Sequence, residues 1–301
     1  MENEVKQLPP DPVVVAPTPM PIKDDDSIDH EKLARNTVRW HKTALSGFVV
    51  GSAGGEEFFL SDTERVESVR TVAQANIGKK LIIAGVDNPS TTETLRLAGL
   101  MAKAGADMVR VRIPQTATGG NTGSAASYFE EVTRHTPVPV IVIHQTWQTG
   151  GFAATPEEIR RICEMDNVAA YIFWHNVRFE SYVRRFVPRK VKFWTPNGSL
   201  LLPGALIGAE GACCFFANWG PDIAMEIMKL GMAGRFTEAQ ALQQKILAAD
   251  FIGMRAGVAA LKAGLNMLGY ETTVPRRPTP PFSPKETDEL RRAFVEAGLL
   301  K

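Results

Sequence analysis

With 301 residues, 34 lysines and arginines against 33 acids and a formal net charge of +1, the chain can bury a full-sized core but has no charge surplus to attract nucleic acid or an anionic membrane. Its three cysteines, Cys163, Cys213 and Cys214, form no CxxC pair and read as reduced core residues of a cytoplasmic protein. No apolar run reaches membrane-spanning length, and residues 1–12, polar, acidic and proline-rich, read as a loose tail rather than a signal peptide.

VVVAPTPM gives a short buried strand closed by prolines, and KDDDSIDH supplies the turn and helix start for EKLARNTVRWHKT. GFVVG is the second strand. It runs into SAGGEEFFLSDTER, where glycines allow close backbone approach and SDTE has the form of a capping box. LIIAGV, DMVRVRIP, VPVIVIH, NVAAYIFWHN, VKFWTP and GACCFFAN supply strands three to eight, separated by helical segments such as DNPSTTETLRLAGLMAKAGA and ATPEEIRRICEM. The fourth strand leads into QTATGGNTGSAA, whose composition suits a lid or an edge near a site. Unalternated Val, Ile and Phe runs mark strands buried on both faces, and no GxGxxG follows the first strand, so the expectation is an α/β fold, a closed (β/α)8 TIM barrel over residues 13–232. Residues 233–301 carry only helical periodicity, in TEAQALQQKILAADFIG, AGVAALKAGLNMLG and SPKETDELRRAFVEAGL, and form a C-terminal helical region.

Sites in such barrels lie beyond the carboxyl ends of the strands. Expected strand ends at Gly51, Val86, Ile113, His144, Trp174, Thr195 and Asn218 therefore open on one face. They gather Ser52, Gly54 and Gly55 after strand two, Arg112 on strand four, His144, Gln145 and Trp147 after strand five, Trp174, His175 and Asn176 after strand six, and Trp194 and Asn197 around strand seven. An imidazole at this rim can exchange protons near neutral pH, which makes His144 the acid/base candidate against the plain alternative of a loop hydrogen bond. Gln145 and Asn176 could orient a carbonyl or carboxylate, or only cap strand ends. The indoles of Trp147, Trp174 and Trp194 could wall an apolar or aromatic substrate, or simply pack. Arg112 binds a carboxylate or pairs with an acid outside the barrel. No HxH or HExxH spacing supports a metal, and no cofactor motif is found.

Several stretches give the chain a resemblance to the dihydrodipicolinate synthase and N-acetylneuraminate lyase family: APTPM with DDDSID after strand one, GSAGGEEFFLSDTER after strand two, LLLPGALIGAEG before strand eight, and LKAGLNMLG with the terminal EAGLL. The resemblance implies an aldolase-type lyase or related hydrolyase, assembled as a homodimer or homotetramer. In that family a lysine on strand six forms a Schiff base with a 2-oxo acid and a tyrosine ends strand five. Matching TPEEI and NVAAY without a gap places His144 on the tyrosine and Ile172 on the lysine, and no lysine lies between Lys103 and Lys190. The family's tyrosine pair falls on Gln115 and Thr116, and its substrate-binding arginine on Thr149. Of the pyruvate-holding loop only Ser52 keeps a hydroxyl. Glu56 matches a glutamate that supports this loop, and Lys262 matches a lysine of the C-terminal helices rather than the nucleophile.

Two readings follow. One is a lyase-type enzyme acting without a Schiff base on a small carbonyl or carboxylate compound, with neither cofactor nor metal, nucleic acid nor membrane, and with His144 as acid/base. The other is a descendant that binds a small molecule or assembles without catalysis.

Overall fold

The computed structural model describes residues 7–78, 80–114, 123–145, 154–173 and 176–301. Eight parallel strands close on themselves in sequence order, β1 Val13–Pro17, β2 Gly47–Val50, β3 Leu81–Gly85, β4 Met108–Arg112, β5 Val140–Ile143, β6 Val168–Ile172, β7 Lys192–Thr195 and β8 Gly211–Cys213. The ring is completed by parallel pairing of β8 with β1, Val13 opposite Gly211 and Val15 opposite Cys213. Helices α1 His30–Trp40, α2 Asp62–Ala75, α3 Thr91–Ala104, α4 Gly123–His135, α5 Pro156–Glu164, α6 Val177–Val183 and α7 Leu201–Leu206 alternate with the strands. After β8 come α8 Phe216–Trp219 and α9 Pro221–Met232, then α10 Phe236–Met267 and α11 Pro284–Glu296.

Strand alternation sorts the core into two layers. Val13, Val15, Val49, Leu81, Ile83, Met108, Ile141, Ile143, Ala170, Ile172 and Trp194 fill the barrel interior. Their neighbours, among them Val14, Phe48, Ile82, Val109, Val111, Val142 and Tyr171, face the helices. Side chains thus leave the strands on both faces into apolar surroundings, which is why the runs lack polar alternation. The helix starts expected from sequence form with reciprocal caps: Ser61 with Glu64 opens α2, and Thr155 with Glu158, followed by Pro156, opens α5.

One expected end is displaced. The eighth strand stops at Cys213, and Asn218 lies in α8, where its Nδ2 donates to the Pro17 carbonyl at 2.9 Å. The run CCFFAN is apolar enough to read as strand, but buried helix and buried strand look alike over so few residues. The three expected C-terminal segments condense into two helices, since α10 spans 32 residues and bends at Gly257, φ 56°.

Candidate active site

Beyond the carboxyl ends of the strands lies a cavity of about 130 Å³ whose described lining comes from seven places along the chain, at strand ends and in the loops after them: Pro17, Ser52 to Gly54, Arg110, Ile143 to Gln145, Phe173, Pro196 with Asn197, and Cys213 with Phe215. The loop after β2 folds into a 3-10 turn at Ala53–Gly55. Its shape is enforced sterically, because a Cβ on Gly54 would stand 2.5 Å from the Phe215 ring and 2.7 Å from Pro17. Ser52 is buried, with its Oγ donating weakly to the Val49 carbonyl at 3.4 Å. The amides of Gly55 and Glu57 both donate to the Ser52 carbonyl, at 2.8 and 3.2 Å, so the turn uses these donors itself.

Glu56 ends this turn in the left-handed region, φ 61°, and is fully buried under the C-terminal region. Its carboxylate lies 2.6 Å from Lys262 Nζ and accepts from the Arg276 amide at 2.6 Å. Lys262 also donates to the Val274 carbonyl at 2.8 Å, and burial lowers its pKa while Glu56 opposes the drop. Glu56 thus ties the turn after β2 to Lys262 and Arg276 of the C-terminal region.

A buried ionic cluster closes the other side. Val109 and Val111 face the helices, so Arg110 and Arg112 project to the interior side of β4. Arg110 Nη2 donates to Glu57 Oε2 at 3.0 Å and to Asp87 Oδ2. Arg112 reaches Glu57 Oε1 at 2.9 Å and Asp87 Oδ2 at 3.2 Å, and its amide donates to Asp87 Oδ1 at 2.8 Å. Burial works against the Arg110 charge, but Asp87 and Glu57 outweigh it and raise the guanidinium pKa above its ordinary value.

His144 follows the interior-facing Ile143 and takes the opposite parity. Its ring packs edge-on to Phe179 of α6 at 5.7 Å, and Nδ1 lies 2.8 Å from the Tyr171 hydroxyl and 3.0 Å from Glu180 Oε1. The Tyr171 hydroxyl in turn donates to Glu180 Oε2 at 3.1 Å. His144, Tyr171 and Glu180 are all buried. The inward place at the end of β5 belongs to Ile143, paired with Ile172 on β6 and also lining the cavity.

Of the residues expected at the site, Ser52, Gly54, His144, Gln145 and Asn197 line the cavity, but the His144 imidazole itself turns to the helix layer and has no exposed surface. Gly55, Arg112, Asn176 and Trp194 do not reach it. Gly55 backs onto the Thr18 carbonyl, which a Cβ would meet at 2.7 Å. Asn176 accepts from the Phe179 amide at 3.2 Å as the N-cap of α6, and Trp194 is wholly buried in the interior layer below the rim. Trp147, Trp174 and His175, like Gln115, Thr116 and Thr149, lie outside the described residues. Arg110, Phe173, Phe215, Tyr171 and Glu180 were not singled out from sequence, and Cys213, expected as a core residue, lines the cavity. The signal for Arg110 was present in MVRVR, where two arginines at period two must share a face of an otherwise apolar strand. Among the described residues no group of three or more His, Cys, Asp or Glu side chains is placed to hold a metal ion.

A parallel eight-stranded barrel with a cavity beyond its strand ends, followed by C-terminal helices, defines a TIM barrel. The chain belongs to the dihydrodipicolinate synthetase family, whose pattern matches residues 12–297. It is 26% identical to the 4-hydroxy-tetrahydrodipicolinate synthase of Caldicellulosiruptor bescii, covering 93% of this chain and 94% of that one. To a probable mitochondrial 4-hydroxy-2-oxoglutarate aldolase of Emericella nidulans it is 27% identical, over 95% and 94% of the two chains. In fold it is similar to a putative dihydrodipicolinate synthetase from Pseudomonas aeruginosa, TM-score 0.87 at 24% identity over 95% of this chain and 99% of the other. The synthase from Cyanidioschyzon merolae superposes with a TM-score of 0.89 at 21% identity, over 98% and 100%.

Proposed function

We propose that the protein is a lyase-type enzyme that acts on a small carbonyl or carboxylate compound without forming a Schiff base. Family membership and relatives named as a synthase and an aldolase support the reaction class. The observation that carries the lysine-free reading is Ile172. At the position matched to the family's lysine, an aliphatic side chain is buried in the interior layer with Ile143, Ala170 and Trp194. None of the described cavity residues is a lysine. Lys262, which could be mistaken for a nucleophile, is buried against Glu56 instead.

Without an iminium to accept electrons, cleavage or hydration beside a carbonyl needs proton transfer and donors for the oxygen that gains charge. Gln145 and Ser52 line the cavity and are the neutral donors in this reading. His144 is the proton-transfer group in this reading, its ring oriented through Nδ1 by Tyr171 and Glu180. We further propose a homodimer or homotetramer in solution, which a monomer in sedimentation at micromolar concentration would contradict. The chemical test is incubation with pyruvate and borohydride. Intact-mass measurement should show no irreversible adduct, whereas stoichiometric labelling would overturn the lysine-free mechanism.

A further inference from the structure

Two asparagines open helical turns beyond the strand ends, and their side chains are used differently. Asn176 caps α6, accepting from the Phe179 amide at 3.2 Å, and does not line the cavity. Asn197 holds the same N-cap position before the 3-10 turn Gly198–Leu200 that leads into α7, with extended backbone, φ −133° and ψ 153°. Its side chain makes no cap hydrogen bond and lines the cavity instead. Asparagine is among the strongest N-cap residues, so a cap left unused at this position has a local cause.

The cause lies on α10, 53 positions along the chain. Asp250, 2% exposed, accepts from the amides of Gly198 at 3.1 Å and Ser199 at 2.7 Å. A Cβ on Gly198 would stand 2.4 Å from Asp250 Oδ1, so the missing side chain gives the carboxylate its seat. Two helical turns earlier, on the same buried face of α10, Gln243 accepts from the Leu202 amide at 3.0 Å and donates to the Gly198 carbonyl at 2.9 Å. The Leu200 amide returns to the Asn197 carbonyl at 3.1 Å. The amides that an N-cap side chain takes, here those of Ser199 and Leu200, are therefore both occupied before Asn197 can reach them. The carboxylate is committed to this turn: burial raises its pKa, and the groups that draw it back down all belong to Gly198 and Ser199.

We propose that Asp250 is a positioning residue of the cavity: it caps the turn after β7 in place of Asn197, and so leaves the Asn197 amide uncommitted on the cavity wall. Asn197 is then a neutral contact for the substrate, able to donate to an oxygen or to accept from a hydroxyl, on a wall fixed from behind by α10. The same helix braces the turn that carries Ser52, through Lys262 and Glu56. This deepens the proposed function and rests on its assignment of the cavity as the active site.

The test compares wild type, Asn197→Ala, Asp250→Ala and the double variant by urea unfolding, with crystal structures of wild type and Asp250→Ala. Asn197→Ala alone should leave the midpoint unmoved, because no cap bond is lost. In the Asp250→Ala background the same substitution should lower it by about 0.3 M or more, the size of a lost N-cap, because Asn197 has fallen back to capping. The Asp250→Ala crystal should show Asn197 Oδ1 within hydrogen-bond distance of the Ser199 or Leu200 amide and turned off the cavity wall. A purely structural Asp250 would lower the midpoint in both backgrounds without making Asn197 matter in one and not the other. An Asn197 side chain that stays on the wall in Asp250→Ala would overturn the proposal, as would equal effects of Asn197→Ala in the two backgrounds. If Asp250→Ala fails to fold, Gly198→Ala, whose Cβ displaces the carboxylate from the same amides, takes its place in the cycle. Should neither fold, the wild-type arm decides: an unmoved midpoint in Asn197→Ala supports the exchange of caps, and a fall of cap size overturns it. No readout here uses a substrate, so failure leaves the borohydride result and the lysine-free reading standing, and an adduct in that experiment leaves the exchange of caps standing.

Discussion

Glu180 has no exposed side-chain surface, yet its carboxylate gathers the Tyr171 hydroxyl and His144 Nδ1 within about one hydrogen-bond length. Burial, reinforced by the neighbouring Glu180 charge, raises the Tyr171 pKa well above its ordinary value and keeps the phenol a donor at any working pH. Tyr171 and Glu180 are positioning residues in this arrangement, and the imidazole orientation depends on them. His144→Ala should lower kcat by about 10² or more with the fold retained, the range for losing a general acid or base. Glu180→Gln should lower kcat less. Unaltered kcat in His144→Ala would remove it from the mechanism. Cys213 provides a second residue-scale expectation. Burial pushes its thiol up to about 11 from an ordinary 9.0, with the Arg110 charge pulling it back down. A thiol whose pKa is raised on folding binds its proton more tightly in the native state, so its alkylation rate should climb through pH 9 and level only near 11. A plateau by pH 9 in the Cys213 peptide would show that the cavity does not desolvate it.

Elements explain why some of this was legible beforehand. The apolar runs, except the FFAN end of the eighth, the capping box at Ser61 and the glycine turn after β2 are local signals, and each formed where its residues stood. Facing was less legible, because a shift of one residue along a strand exchanges interior for helix-facing positions. The ungapped match carried His144 to the family tyrosine's place, while strand parity gave the interior place to Ile143. The long-range contacts around the β2 turn were invisible to any local pattern: Glu56 meets a lysine and an amide more than 200 positions away. This pair can be tested as a unit. Lys262→Met leaves the Glu56 carboxylate buried without its cation, and loss of one partner from a buried pair costs about 3–5 kcal/mol. The urea midpoint should fall accordingly, and adding Glu56→Gln should recover part of the loss. Equal midpoints for Lys262→Met and wild type would mean that the C-terminal region does not brace the turn.

At the scale of the whole molecule the question is whether the C-terminal helices are an appendage or part of the barrel's core. Leu261, Leu265, Leu290 and Phe294 belong to the same buried cluster as Val14, Phe48 and Val142. Trp219, just after the barrel's last strand, donates to the Leu261 carbonyl at 3.1 Å and meets Phe294 edge-on at 5.0 Å. The fit is close enough that a Cβ on Gly264 would stand 2.6 Å from both the Phe294 ring and Trp219 Nε1. From the same region Asp250 accepts from the amides of Gly198 at 3.1 Å and Ser199 at 2.7 Å, which holds the loop that carries Asn197 to the cavity. Removing residues 233–301 would therefore expose an apolar face on the outer layer, orphan Glu56 and release two loops of the site together. A chain ending at residue 232 should aggregate or show the expanded, loosely packed signature of far-UV helicity without a near-UV signal. A soluble truncated chain that unfolds cooperatively would show that the barrel over residues 13–232 is an independent domain. Gly264→Leu in the full-length chain offers the milder form of the same test. With Trp219 and Phe294 unable to give way, it should destabilise by about 1–3 kcal/mol through overpacking, and an unchanged stability would mean that the helices dock too loosely to organise the site.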